Sequence, residues 1–473
     1  MFDPSVFAAR RDAYMQAMGP DAVAVVRSLP ERLRNGDSFF PFRQLSDLLY
    51  LTGFAEPDTT LILRPGAEKE RVVMFVRPRD PEMEVWDGRR AGIDGAKQQY
   101  GADAAYPASE LPAKLGELIA NCEELHFSLG LDDEMDLLVT HAVARLRKTE
   151  KRGKRPPKSI VDPRVALHEL RLHKRPEELV ALRKAAQIST DAHIAAMKAG
   201  KPGAFEHELE ALINYQFRKQ GGTGPGYATI VGAGENATIL HYIENRCAIA
   251  DGDLVLVDAG CEYNGYTADI TRTFPANGTF SEVQRRVYQI VLDCQVEAVE
   301  MVKPGVTLDQ LHELCVRRLT EGMVALGLLT GNVDDLIKEQ TYRKFYMHGT
   351  SHWLGMDVHD VGSYTHKGKA RPLAPGMVIT VEPGLYIATD APDVPAELRG
   401  IGVRIEDDVV VTASGKFTPI QRRVYQIVLD TQLEAVEMVK PGVTIDEIHD
   451  LCVRRLTEGM IALGLLGGSA DDR

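Results

Sequence analysis

Short apolar runs and longer helical periodicities divide the chain into readable stretches. Over residues 1 to about 145 the pattern is mixed: Thr60–Leu63 and Val72–Val76 are apolar runs of strand length, and Asp103 to Leu118 reads as a helix. From Pro176 the segment PEELVALRKAAQISTDAHIAAMKAG repeats apolar positions at three- and four-residue spacing, the period of an amphipathic helix. Later, Leu254–Val257, Met377–Val381 and Gly402–Ile405 again predict strands, and each runs into an acid: Asp258, Glu382 and Glu406. Asn264-Gly265 is a two-residue hairpin signal. If Tyr263 pairs with Tyr266, Asp258 faces Thr271 and Asp269 faces Gly260. Asp258 and Asp269 are then diagonal neighbours on one face, about 7–8 Å apart at Cα.

Between these stretches lie segments that carry other signals. RKTEKRGKRPPK, residues 147–158, holds seven basic residues and one acid, and reads as a solvated inter-domain linker or loop rather than a nucleic-acid patch. Glycines dominate Gly221–Gly234, but no strand leads in and no GK[ST] follows, so a loop shaping a substrate pocket fits better than a nucleotide loop. Residues 421–472 repeat residues 284–335 at a constant offset of 137, with 42 of 52 paired positions identical. That is too close for an old solenoid and reads as a recent or artificial duplication. Each copy predicts an amphipathic helix, a KPG turn and a second amphipathic helix. The second copy therefore has an apolar face to dock, to pair with another subunit, or to exchange with the first copy.

Length and composition narrow the class. A chain of 473 residues exceeds one ordinary core, so two or more domains are expected. Apolar and charged contents of 44% and 26% are those of a soluble protein. A net charge of −13 argues against nucleic acid and anionic membranes as partners. No apolar run approaches the roughly 20 residues of a membrane span. The start, MFDPSVFAARRDAYMQ, has no apolar signal core. The six cysteines form no CxxC pair and are too sparse for a disulfide scaffold. A cytoplasmic setting is expected.

The candidate chemistry rests on Asp258, Asp269, His352, Glu382 and Glu406, in VLVDAG, YTADITRTF, HGTSHWLG, VITVEPGLY and GVRIEDD. Four carboxylates and one imidazole can hold and balance two divalent ions, and the oxygen-rich set suits Mn²⁺ or Co²⁺, with Zn²⁺ an alternative. Four buried carboxylates without a cation would be costly. Strand alternation places Arg404 on the face of Glu406, where it can hold the cluster or a substrate carboxylate. His348 and His352 are four apart, but Gly349 follows His348, so this is no HExxH helix. His312 and His449, on the helical repeats, read as structural.

These motifs carry a family resemblance. Residues 177–411 resemble the catalytic domain of the "pita-bread" metallopeptidases, while FFPFRQLSDLLYLTGFAEPDTTLIL (Phe39–Leu63) and EVWDGRR (Glu84–Arg90) resemble the aminopeptidase P branch. The resemblance implies an α+β protein in three parts: a creatinase-like α/β domain at 1–172, a pita-bread catalytic domain at 173–418, and a helical duplicate of 282–335 at 419–473. It implies that Asp258 chelates one metal, that Asp269 and Glu406 bridge both, and that His352 and Glu382 complete the other shell. Glu382, His241, His359 and Arg404 are the implied catalytic set. His241, His348, His359, Arg404 and Tyr364 are the implied substrate-binding set, with Trp353 or Tyr386 candidates to line a proline pocket. The implied activity is hydrolysis of an N-terminal Xaa-Pro bond by a metal-bridging hydroxide, in a homodimer or homotetramer acting on peptides with proline second. Alternatives are a prolidase restricted to Xaa-Pro dipeptides, a metal-free creatinase-like hydrolase, and a non-catalytic pita-bread binding protein. The duplicate departs from the family pattern and bears on assembly rather than chemistry.

Overall fold

The structure, a computed structural model, describes residues 2–413, 431, 434 and 444–462. It divides into two compact units, Met1–Leu172 and His173–Arg473.

The first unit is built on a six-stranded mixed sheet in the order Ala104–Pro107, Val72–Val76, Thr60–Leu63, Ala22–Arg27, Glu124–Phe127, Ser159–Val161. Alternation sends Val23, Val25, Ile62, Val73 and Phe75 to one face, where Leu115, Met135, Val139 and Ala142 from two helices cover them. The expected helix from Asp103 is corrected here. Ala104–Pro107 is a strand paired in parallel with Val72–Val76, and the helix begins at Leu111. The Asp103 carboxylate accepts from Val72 N at 2.8 Å, tying that stretch to the sheet edge before helix can form. For residues 147–158 the loop alternative holds. They run from the last turn of the Asp133–Thr149 helix through a 3₁₀ turn, Glu150–Arg152, and a loop to the edge strand Ser159–Val161, all inside the first unit, so they do not link domains.

In the second unit, helices Pro176–Ala199 and Glu206–Lys219 lay Ile188, Ala192, Leu209, Ile213 and Phe217 against Val231, Val255 and Val257 of a three-stranded antiparallel sheet. That sheet joins Ile230–Ala233, Leu254–Asp258 and Thr271–Pro275. The glycine-rich stretch is thus only partly loop, since Gly224–Pro225 and Ile230–Ala233 are strands. Asn264 and Gly265 have φ of 52° and 79°, the left-handed pair a tight hairpin turn requires. Tyr263 pairs with Tyr266 and Asp258 with Thr271, as the turn predicts. Two further antiparallel pairs complete the unit: Val378–Val381 with Asp407–Val410, and Gly384–Ile387 with Ile401–Arg404. Gly402 must be glycine, because a Cβ there would lie 2.0 Å from the Ala237 carbonyl oxygen.

The first copy of the repeat forms helices Glu282–Met301 and Leu308–Ala325, entered through Ser281–Gln284 and Thr307–Gln310 capping boxes. Of the second copy, its first helix and turn lie outside the described residues apart from Thr431 and Glu434, while Ile445–Ala462 is helical. It keeps the same device at its start, with Thr444 and Glu447 exchanging cap bonds. Arg455 pairs with Glu434 at 2.6 Å, as Arg318 pairs with Glu297 at 2.6 Å in the first copy. The surroundings differ. Val453 and Met460 are 46% and 37% exposed where their counterparts Val316 and Met323 are buried. No described helix is long and apolar enough to cross a membrane.

Candidate metal centre

Asp258 ends the Leu254–Asp258 strand, and the hairpin register continues past it: Ala259 N donates to Ile270 O at 3.0 Å and Ala268 N to Cys261 O at 3.1 Å. Asp269 thereby turns to the same side as Asp258. Glu406 joins them through Thr271, whose carbonyl accepts from Glu406 N at 3.1 Å and whose hydroxyl donates to Glu406 Oε2 at 2.6 Å. Arg404, two residues earlier, donates from Nε to the same hydroxyl at 3.1 Å. The alternation read from the sequence therefore places both side chains on one face.

Glu382 and His352 arrive together. Glu382 N donates to Thr350 O at 2.9 Å, and Thr380 N to His352 O at 3.0 Å, so the HGTSHW segment lies along the Val378–Val381 strand. His352 Nδ1 is 3.0 Å from Trp353 O. That carbonyl accepts only from a protonated Nδ1, so Nε2 is the ring atom that faces the acids, a donor to Asp269 without metal and a ligand atom once its proton leaves. Nε2 lies 3.4 Å from Asp269 Oδ2 and 3.5 Å from Glu382 Oε1. Donor atoms of Asp269, His352 and Glu406 all fall within 4.8 Å of one another. All five expected ligands line one cavity of about 540 Å³, with Tyr227, His241, His348, His359 and Arg404.

The electrostatics describe a site built for cations. Burial, then the fields of neighbouring acids, pushes Glu406 well above the usual carboxylate range and raises Asp269. Burial likewise lifts Glu382 to about 7. His352 is raised because its bond to Asp269 and the field of Glu382 outweigh burial. Arg404 supplies one positive charge, with Nη2 2.7 Å from Asp258 Oδ2. One guanidinium against four acids leaves a deficit that divalent ions fit, and the set of oxygens with one free imidazole nitrogen suits hard metals.

The other expected residues separate. His241 and His359 line the cavity, and the His352 and His359 rings meet edge-on at 4.4 Å. His348 also lines it, bonded through Nε2 to Tyr386 OH at 2.9 Å, and burial with Arg404 nearby lowers it to about 4. It is neutral at pH 7. Tyr364 does not line the cavity: it is 49% exposed and stacks on Trp353 at 5.5 Å. Trp353 is fully buried and, with Tyr386, also lies outside the lining, so neither forms a proline pocket there. In place of walls, Tyr386 holds His348 and Arg404.

Sequence reasoning missed several supports. Tyr227 OH donates to Asp258 Oδ1 at 2.6 Å. Asp408 accepts from Asp269 N at 3.1 Å, and burial raises it well above the usual range. Gln295, in the first repeat copy, donates to Asp407 at 2.7 Å, and His312 contacts Thr350 Oγ1 at 2.9 Å. Tyr227 and Asp408 had a signal in their motifs, the glycine-rich stretch and IEDD. Gln295 and His312 had none, since their partners are over 30 residues away.

The sequence matches metallopeptidase family M24 over residues 180–413 and again over 413–469, and the aminopeptidase P N-terminal domain over 7–126. The chain belongs to metallopeptidase family M24. This M24 enzyme is 46% identical to the Xaa-Pro aminopeptidase of Escherichia coli (strain K12), over 86% of this chain and 92% of that one. The structure of Pseudomonas aeruginosa aminopeptidase PepP superposes with a TM-score of 0.85 at 44% identity, covering 96% of this chain and 99% of that one. Zinc-substituted E. coli aminopeptidase P in complex with product gives 0.83 at 46% identity, over 87% and 93%. The enzyme is therefore an aminopeptidase P-type N-terminal domain followed by a pita-bread metallopeptidase domain. The second M24 match falls on the duplicate and shows it to be a repeated piece of that same domain.

Proposed function

We propose that this M24 enzyme is a dinuclear-metal Xaa-Pro aminopeptidase. The observation that carries the reading is the convergence of Asp258, Asp269, His352, Glu382 and Glu406 on one cavity that holds a single guanidinium. Asp258 would serve one ion, Asp269 and Glu406 both, and His352 and Glu382 the other, with Mn²⁺ the expected metal. When bound, the ions would supply an activated water and polarise the scissile carbonyl.

This chain's residues do the rest. Glu382 lines the cavity beside Asp269 and His352, where its carboxylate would carry a proton from the attacking water to the leaving proline nitrogen. His241 and His359 offer hydrogen bonds along the cavity to the peptide, while His348, held at both ring nitrogens by Gly349 O and Tyr386 OH, shapes the wall beside them. Arg404 fixes Asp258, and Tyr386 fixes Arg404. Specificity for proline in second position comes from the relatives, which are named Xaa-Pro aminopeptidases. A cytoplasmic homodimer or homotetramer is part of the proposal.

A substrate panel tests it. Xaa-Pro-Yaa tripeptides should be cleaved between the first residue and proline, with activity lost on chelation and restored by Mn²⁺. Cleavage of Xaa-Pro dipeptides alone would make the enzyme a prolidase. Activity that survives complete metal removal would overturn the metal mechanism. A complete ligand set disfavours the non-catalytic binding module.

A further inference from the structure

One wall of the cavity has little regular structure of its own. Leu240, His241 and Ile243 line it, and His241 and Ile243 are themselves exposed. They belong to residues 233–247, where the regular structure is the end of a strand and one 3₁₀ turn, Gly234–Thr238. Something outside the segment has to set its path.

Glu206 meets that need. It is the first residue of the Glu206–Lys219 helix, is 0% exposed, and does not line the cavity. Its Oε1 accepts from Ala233 N and Asn236 Nδ2, both at 2.9 Å. Its Oε2 accepts from Tyr242 OH and Cys247 N, both at 2.8 Å. The four donors are neutral and span the segment from end to end. The helix N-terminus adds favourable potential for the charge. Tyr242 is buried and adjacent to His241, so pinning the Tyr242 hydroxyl sets the backbone from which the imidazole reaches the cavity. Four donors satisfy the buried carboxylate, so displacing any part of the segment would leave a buried charge short of a partner.

We propose that Glu206 is a positioning residue for peptide binding, holding residues 233–247 so that Leu240, His241 and Ile243 form a fixed wall against the substrate. This rests on the peptidase reading above. Glu206 touches none of the expected metal ligands, so its effect is on substrate and not on metal.

The test is Glu206→Gln, which keeps the shape but turns one acceptor oxygen into a donor facing donors. KM for an Xaa-Pro-Yaa tripeptide should rise about tenfold while kcat changes by less than about threefold, the effect of one or two lost net hydrogen bonds. Metal content should match the unmodified enzyme. Adding Glu206→Gln to His241→Ala should cost less than Glu206→Gln costs alone, since only the Leu240 and Ile243 part of the wall is left to displace. Tyr242→Phe, which removes one donor without touching the carboxylate, should give a smaller rise in KM and serves if Glu206→Gln folds poorly. In the metal-free protein, the His241 imidazole NMR signals should shift or broaden in both variants. Those signals test the positioning role even if no Xaa-Pro peptide proves to be a substrate. Unchanged His241 signals, additive losses with His241→Ala, or a parallel loss of metal and kcat would overturn the proposal.

Discussion

Arg404 and Asp258 form a buried ion pair, Nη2 to Oδ2 at 2.7 Å, with side chains only 4% and 11% exposed. It joins a residue of the Gly384–Ile387/Ile401–Arg404 strand pair to the end of the three-stranded sheet, 146 positions earlier. The same guanidinium reaches Thr271 and Tyr386. Without metal, it makes the acids tolerable together with the protons that the raised carboxylates retain.

Removing that charge should therefore hurt the metal-free protein most. Arg404→Gln leaves Asp258 buried beside three other acids, and breaking such a pair costs roughly 3–5 kcal/mol. Urea unfolding of the metal-free variant should show that loss, partly recovered on adding Mn²⁺. Equal stability with and without Arg404 would show that the pair is not structural.

The raised carboxylates set the direction of a pH dependence. Glu382 sits at about 7 when folded against a reference value of 4.5, so the folded metal-free protein holds a proton that the unfolded chain has lost. Stability from this group is present below about pH 4.5 and declines until about pH 7; Asp269 and Glu406 act in the same direction. Metal must displace these protons, so apparent affinity should rise across the same window, with proton release measurable by calorimetry in buffers of different ionisation enthalpy. A pH-independent affinity between 5 and 8 would contradict it.

Asp269 carries the largest expected single loss. It lies within reach of both His352 and Glu406, so Asp269→Ala should lower the metal content of purified enzyme below that of the unmodified chain. With it, kcat should fall about a thousandfold, the several kcal/mol that a metal contributes to such a reaction. Elemental analysis and a tripeptide assay on the same sample check both.

The duplicate should be dispensable for chemistry. None of the five expected ligands lies within 419–473, and the supports Gln295 and His312 come from the first copy. Deleting residues 419–473, which supply none of the expected ligands, should leave kcat/KM within about twofold. Size-exclusion chromatography of the same protein would register any change in assembly. Loss of metal binding would show that the second copy takes part in the site.

Much of the centre was legible because its pieces are local. A two-residue turn dictates that Asp258 and Asp269 share a face, and strand alternation does the same for Arg404 and Glu406. These are consequences of a period of two, which needs no knowledge of the rest of the chain. The misreadings came where a distant partner decides. Asp103 to Leu118 has helical spacing, yet Ala104–Pro107 joined a waiting sheet edge.

Sequence alone determined the duplication and the hairpin register and singled out the candidate metal donors, because each is written in short-range spacing or in direct similarity. Only the tertiary structure decided that His352 presents Nε2 rather than Nδ1, that Arg404 neutralises Asp258, and that Glu206 holds the His241 wall. Those outcomes depend on burial and on hydrogen bonds closed between distant segments. The energy of a charge in a protein is set by what surrounds it, and no local pattern records that.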